Sequence, residues 1–423
     1  MAEFKMSLSE VSALFKIKYE KLSENVYNSA NVLLGRVKKS YNFTGKRLSI
    51  AIPQSFAGGV GSGNLPTANT AIYGDAQITA KKMYAVVEID RETIKASLSD
   101  EGAFVRATKE VVQKGVESFM RNLSRALFND GSGRLGQVSN ASGGLTEIVL
   151  ATGVGPASGE TADATKVKIA DFKEANFEER DLIQVVNGSA LAANPSLRSD
   201  TKIEIEQVLV DEESIVLKGK DLGIQALDDL VMQESLNNDP TGMKGVLDKT
   251  PGAGVTNYGI KVGRRWQSVQ KTHTSDISTD VLNEVMLKIK KACGKSPNLI
   301  VCSYKQYEKI LKILEDKVQF KVETRAQVQS VNGALSFSGI QFMSIDGPVG
   351  IFPERFVEDD RIYLLNDAHI HIHHRPDFGW FDDDGTVFLR KATSDAYEAR
   401  YGGYLECYIN PCFHGVITGL PSA

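Results

Sequence analysis

From Leu8 to Val37 the apolar positions Leu8, Val11, Phe15, Leu22, Val26, Ala30, Leu33 and Val37 recur at helical spacing among lysines. The pattern reads equally as an amphipathic N-terminal arm or as a plain surface helix docked on a core. The period then changes. In "KRLSIAIPQ" and "AQITAKKMYAVVEID", Leu48, Ile50 and Ile52, and then Tyr84 and Val86, alternate with period two, which predicts strands. The segment between them, "SFAGGVGSGNLPTANTAIYGD", is glycine-rich, uncharged until Asp75, and too long for a tight hairpin turn. A long two-stranded extension with a flexible tip is expected. Because an isolated ribbon is unstable in water, it must lie against something.

Between Asp100 and Phe128 a stripe of Phe104, Thr108, Val111, Gly115, Phe119, Asn122 and Ala126 predicts one helix roughly 40 Å long. Arg121 and Arg125 fall in its last turns, where the helix dipole favours cations, and "NDGSG" ends it. Residues 145–236 switch to short alternating runs divided by Gly, Asn and Asp turns, among them "KVKIADF", "DLIQVVNG", "TKIEIEQVLV" and "ESIVLKG". They predict a small all-β, barrel-like unit between helical regions, after which "NNDPTGMKGVLD" returns the chain to the main body. Val281, Val285 and Ile289 mark a further helix, "NLIVCS" a buried strand and "SYKQYEKIL" the opening of another helix. Gly339 to Leu420 is strand-rich.

A chain of 423 residues implies two or three domains. With 42% hydrophobic and 24% charged residues, it has the composition of a soluble globular protein. No stretch approaches the roughly 20 apolar residues of a membrane span, and no signal peptide is expected. The cysteines Cys293, Cys302, Cys407 and Cys412 form no CxxC pair, so reduced thiols are expected. A net charge of -4 excludes a strongly basic nucleic-acid binder, but the charge is uneven. Residues 1–50 hold nine Lys/Arg against four Asp/Glu, a net of +5, and residues 145–236 hold eight against eighteen, a net of -10.

Four of the six histidines crowd into "NDAHIHIHHRPDFGWFDDDG". His369, His371 and His373 share one face of an expected strand, and His374 takes the other. Alternate strand residues lie about 6.7 Å apart and a zinc–nitrogen bond is about 2.1 Å long, so all three cannot hold one ion on a straight strand. A metal site would need His369 with His371, or His371 with His373, plus Asp382, Asp383 or Asp384. A polar strand face followed by a solvated acidic turn explains the same residues. "GGVGSGN" has the Gly58-x4-Gly63 spacing of a phosphate loop but continues with Asn64 and Leu65 instead of Lys and Ser/Thr. Cys302 with His414 is a conceivable nucleophilic pair, but its apolar strand favours a buried thiol. The sequence offers no convincing active site.

The order of these elements, closing with "DAYEARYGGYLECYINPCFHGVITGL", resembles the major capsid proteins of tailed bacteriophages, of the Hong Kong 97-type fold. The strand from Arg400, its "GGY" and the Asn410-Pro411 turn carry the resemblance, with "LIVCSYKQYEKI" similar to the strand-to-helix step of the axial domain. The resemblance implies an α+β fold with an N-terminal arm (1–39), an extended loop (40–96), a spine helix and the start of the peripheral domain (97–144), a β-rich insertion domain (145–236), most of the axial domain (237–345), and a peripheral return with the axial tip (346–423). It implies a non-enzymatic capsid protein, without cofactor, that assembles in the host cytoplasm into hexamers and pentamers of a virion shell around double-stranded DNA. The implied partners are a separate scaffolding protein, a portal protein, DNA on the inner face and a decoration protein, with no membrane. Gly58, Gly59, Gly61, Gly63, Lys81, Lys82 and Arg400 would serve assembly contacts. The tip lacks lysine, and Lys81 and Lys82 lie at its base, so covalent welding of the shell is not expected. The alternatives are an encapsulin-like compartment and, from another class, a metal-dependent enzyme using His369, His371 and Asp382–Asp384.

Overall fold

The computed structural model describes residues 32–40, 43, 45, 47–55, 72–90, 101–139, 147–149, 164–187, 197–219, 222, 224–263, 265–315, 340–344, 346–381, 387, 389–391 and 394–421. Most of the Leu8–Val37 periodicity, the tip with Gly58, Gly59, Gly61 and Gly63, and Asp382, Asp383 and Asp384 lie outside the described residues. The chain divides into two compact units, unit 1 of Met1–Leu127 with Gly245–Ala423 and unit 2 of Phe128–Lys244.

Unit 1 opens with helix α1 (Val32–Arg36) and strands β1 (Lys38–Ser40), β2 (Arg47–Ser55), β3 (Ile72–Thr79) and β4 (Lys81–Asp90), followed by the long helix α2 (Glu101–Phe128). Unit 2 contains β5 (Arg134–Gln137), β6 (Glu147–Val149), β7 (Ala164–Lys168), β8 (Leu182–Val186), β9 (Leu197–Leu209), β10 (Ser214–Lys218) and β11 (Asp229–Met232). After helix α3 (Met243–Leu247), unit 1 resumes with β12 (Thr256–Asn257), β13 (Ile260–Lys261), β14 (Val269–Thr272), helix α4 (Thr279–Cys293), β15 (Leu299–Cys302) and helix α5 (Tyr304–Glu315). It ends with β16 (Ile340–Ser344), β17 (Gly347–Pro353), β18 (Ile362–Leu365), β19 (Ile370–Trp380), β20 (Leu389–Arg390), β21 (Ala396–Ile409) and β22 (Gly415–Thr418).

Unit 1 contains two principal sheets. One runs β14-β22-β18-β15-β17-β16. Its inner strands β15 and β18 bury every residue and read as unbroken apolar runs, whereas the edge strand β16 alternates, as flanked and edge strands should. Helix α4 lies on this sheet through Leu282, Val285, Met286 and Ile289. The side chain of Ser278 caps its start by accepting from the Val281 amide, and Gly294 at φ 77° ends it. Gly415 leaves room for the helix, since a Cβ there would sit 2.8 Å from Ile289 and 3.0 Å from Val285.

The second sheet runs β1-β19-β21-β20, with β4 on the opposite edge of β21. Helix α2 packs on it through Phe119, whose ring is 5.2 Å from that of Tyr401 and 5.5 Å from that of Phe378. The expected one-sided stripe of α2 is wider in the structure. From Leu123 to Phe128 every residue is buried, Arg125 included.

The extension also differs from expectation. Among the described residues β2 pairs only with β3, in the register Leu48↔Ile78 and Ile50↔Ala76, and at Lys81 the chain leaves the ribbon so that β4 can pair with β21. Tyr84 and Val86 thus belong to the five-stranded sheet, because β21 offers a ten-residue ladder that β2 does not.

Unit 2 is one sheet in the order β5-β11-β8-β9-β10-β7-β6. It curls back on itself. The Ala170 amide donates to Gln137 O and the Ser139 amide to Lys168 O, each at 2.8 Å, so the end of β5 meets the end of β7. Leu135, Val167, Ile183, Ile205, Ile215 and Leu230 fill the interior. The unit takes in β5, which lies before the 145–236 segment expected from sequence.

Candidate functional site

The root of the ribbon is fixed from one side by the β12–β13 hairpin. The Gln77 amide of β3 donates to Tyr258 O at 2.8 Å. The Tyr258 hydroxyl donates to Cys407 O at 2.9 Å and accepts from the Ile409 amide at 3.2 Å. One tyrosine therefore joins β3 to β21. Beneath it Phe43, Ala76, Ile78, Ile260, Trp266 and Tyr408 form a core against which Leu48, Ile50 and Ile52 pack. At the ribbon surface, the Ser49 hydroxyl and the Gln77 side-chain Nε2 donate to Asp75 and hold its carboxyl below the usual carboxylate range. Sequence reading missed Tyr258. The only local signal is "NYG", where Tyr258 takes a left-handed φ of 53°.

β4 lies along β21 for ten residues, from Lys81↔Leu405 to Asp90↔Ala396. The backbones come so close at Gly402 that a Cβ there would sit 2.2 Å from Met83 O. This gives the "GGY" its physical reason. On one face Val87 is buried, whereas on the other Tyr84 is 43% and Val86 58% exposed. The Tyr84 ring lies 5.7 Å from Phe381 and 6.4 Å from Tyr404. Lys82 pairs with Tyr404 in register, and the exposed Arg400 sits opposite Val86, its Nε donating to Glu398 at 2.6 Å. The structure thus brings Lys82 and Arg400 to one sheet face, and Lys81 lies half-buried at the start of the same strand.

The histidine strand departs from expectation at its first residue. His369 ends a 3₁₀ turn, Asp367–His369, capped by the Asn366 side chain, and β19 starts at Ile370. Its ring stacks on Phe413 at 3.6 Å with 5° between the planes. His371 and His373 do share a face, with rings 5.9 Å apart, and His374 lies on the other against Phe378 at 5.1 Å. His373 is buried among Phe43 and Tyr408 with neither ring nitrogen hydrogen-bonded. Burial, then His371 and His374, pushes its pKa down to about 4. Among the described residues no group of three or more His, Cys, Asp or Glu is placed to hold a metal.

Cys302 is fully buried in β15, and burial pushes its thiol up to about 12. Its sulfur lies 3.8 Å from Phe352 O, and His414 instead accepts from the Asn366 amide through Nδ1 at 3.2 Å. The nucleophilic pairing does not form, and Cys302 serves as core.

The family model described as SU10 major capsid protein matches residues 63–378. Among solved structures, the chain is similar to the cyanophage A-1(L) capsid asymmetric unit, with 13% identity over 93% of each chain and a TM-score of 0.51. A chain of Mycobacterium phage Bobi aligns at 11% identity over 99% of this chain and 100% of that one, with a TM-score of 0.40. The holo-SrpI encapsulin complex from Synechococcus elongatus aligns at 7% identity over 93% and 88%, with a TM-score of 0.45. No curated protein matches the chain. With the family match covering most of its length and a strand-dominated α+β architecture shared with a phage capsid subunit, the chain belongs to the SU10 major capsid protein family, as a phage capsid protein of Hong Kong 97-type fold.

Proposed function

We propose that the chain assembles into hexamers and pentamers of an icosahedral shell around the double-stranded DNA of a tailed phage. The observation that carries this reading is the outer face of β4. Tyr84 and Val86 stand exposed beside Tyr404, between Lys82 and Arg400, a mixed aromatic and basic strand face of the kind that a second copy would cover. The β2–β3 extension of one subunit would dock on its neighbour, with Gly58, Gly59, Gly61 and Gly63 letting one tip fit both five- and six-fold settings. Such contacts are head-to-tail and close into rings.

In this reading unit 2 is an insertion domain. Its negative charge favours the outer surface, where a decoration protein would meet it, and the basic N-terminal arm favours the DNA side. Scaffolding and portal proteins are separate partners, assembly takes place in the host cytoplasm, and the shell performs no catalysis.

The test is size-exclusion chromatography with light scattering, then negative-stain electron microscopy, of the full chain with and without its scaffold. Rings of five or six, tubes or shells are expected. Replacing Tyr84 and Val86 together by serine should leave a folded subunit whose assembly needs about tenfold more protein. A uniform monomer under every condition sinks the proposal, and shells holding an enzyme in place of DNA would move it to a cellular compartment.

A further inference from the structure

Where the 3₁₀ turn Asp367–His369 enters β19, two lysines gather beside two imidazoles. Lys295, just after α4, places its Nζ 3.5 Å from His369 Nε2 and 5.7 Å from the centre of the Phe413 ring. From the other side Lys38 of β1 stands in register with His371. Both lysines are exposed, His369 and His371 are half-buried, and among the described residues neither lysine has a carboxylate partner. The carboxylate on the same turn, Asp367, is already engaged by Arg36 at 3.2 Å and by the Asn298 amide at 2.7 Å. Glu406, buried across the ladder from His373, belongs to the covered part of the strand. Burial, then Lys295, His371 and Lys38, all oppose a proton on His369, and burial and Lys38 do the same at His371 against a hydrogen bond with the Ala368 backbone that favours it. A proton on either imidazole is thus resisted, an effect that a bound anion would reverse.

The platform beneath these groups is rigid. The imidazole of His369 lies flat on Phe413. The Asn410 amide donates to His369 O at 3.2 Å. The Asn366 side chain accepts from the Ala368 amide at 3.2 Å. Donors held in place before a ligand arrives bind it with less ordering cost.

We propose that Lys38, Lys295, His369 and His371 form a binding site for a phosphate group. Ammonium and imidazole groups are brought side by side there from three separate elements, an arrangement suited to an anion with several oxygens. The phosphate is either that of a nucleic-acid backbone or free in solution. The site itself does not depend on the capsid reading, which bears only on this source.

The experiment is isothermal titration of the full-length chain with inorganic phosphate, followed by competition with a short mixed-sequence DNA duplex and with polyglutamate. Saturable phosphate binding is expected, weakened about tenfold or more in Lys38→Met/Lys295→Met. Both positions are exposed, so the melting temperature without phosphate should not move, and the single change Lys295→Met should give an intermediate loss. Displacement by the duplex identifies a nucleic-acid backbone as the source. Phosphate binding that the duplex does not disturb identifies free phosphate. No saturable heat, or equal affinity in the double variant, overturns the site. Polyglutamate binding where phosphate does not bind also overturns it, in favour of an acidic protein surface. Intact phosphate binding by a chain that never assembles would sink the shell proposal alone, whereas DNA-filled shells with no phosphate binding would sink this one alone.

Discussion

Unit 1 and unit 2 solve the problem of making a core at opposite ends of sequence separation. In unit 1, β21 takes its neighbour β4 from far upstream, and the Lys391–Glu88 ion pair beside that ladder joins residues 303 apart. In unit 2, neighbouring strands such as β9 and β10 are joined by a short turn, and the Lys218–Glu204 pair spans only 14 residues. The charges are as different. Unit 2 holds ten Lys/Arg against twenty Asp/Glu and no histidine, whereas unit 1 holds thirty-nine against thirty-three and all six histidines. Local closure lets a contiguous stretch fold early, but unit 1 cannot complete its second sheet until the last strands exist.

The sharpest way to separate the two is a core truncation in one of them. Ile205→Ala removes a fully buried side chain inside unit 2 and should cost about 3–4 kcal/mol. Urea unfolding followed by amide hydrogen exchange should show the loss in 128–244, with the protection of β15 and β18 unchanged. Equal loss in both would mean that the units unfold together.

The converse test is Gly402→Ala, which drives a methyl group into Met83 O and should cost unit 1 about 2 kcal/mol. Exchange in β4 and β21 should rise while β8 and β9 remain protected.

Acidity offers a third handle. His373 drops from 6.5 to about 4 on folding. The folded chain therefore binds fewer protons, and its stability, full above about pH 6.5, declines as the pH falls through about 4. Glu354 acts in the opposite direction. Burial raises it from 4.5 to about 8 despite a hydrogen bond from the Arg355 amide, the Arg355 charge and a further backbone hydrogen bond from Val32. Its contribution is full below about pH 4.5 and is lost as the pH rises through about 8. Unit 1 should be squeezed from both sides, by up to about 3 kcal/mol on the acid side and about 5 kcal/mol on the alkaline side. His373→Phe should flatten the acid limb and Glu354→Gln the alkaline one in denaturant titrations. Unit 2, without histidine, should lack the acid limb set by His373.

The smallest effect belongs to the surface. Removing the exposed Lys218–Glu204 pair by Lys218→Ala should change unit 2 by less than about 0.5 kcal/mol, detectable as a shift of urea midpoint within error of zero.

The same contrast explains what the sequence disclosed. Val281, Val285 and Ile289 mark α4, and Ile203 and Ile205 alternate along β9, because helical stripes and pleats are written in neighbouring residues. The parting of β4 from the ribbon is not, since Ala76 to Asp90 reads as one alternating run and only a partner near Leu405 decides where it divides. The histidine alternation disclosed that His371 and His373 share a face, though not that His369 falls in the turn before the strand. It did not disclose Phe43 over His373 or Phe413 under His369, which come from opposite ends of the chain. Lys38 and Lys295 were equally hidden, because nothing in "RVKKS" or "CGKSP" points to a distant imidazole.

Tyr258 has a mechanical consequence. Its backbone carbonyl holds β3 while its hydroxyl holds β21, and it accepts a left-handed backbone at a cost of about 1 kcal/mol to do both. A tug on the ribbon is therefore not absorbed at a soft joint. The load passes through one side chain into the longest strand among the described residues and from there across the sheet, so the ribbon behaves as a lever with its fulcrum at Tyr258. Tyr258→Phe would keep the bulk and cut the linkage, turning the lever into a tether.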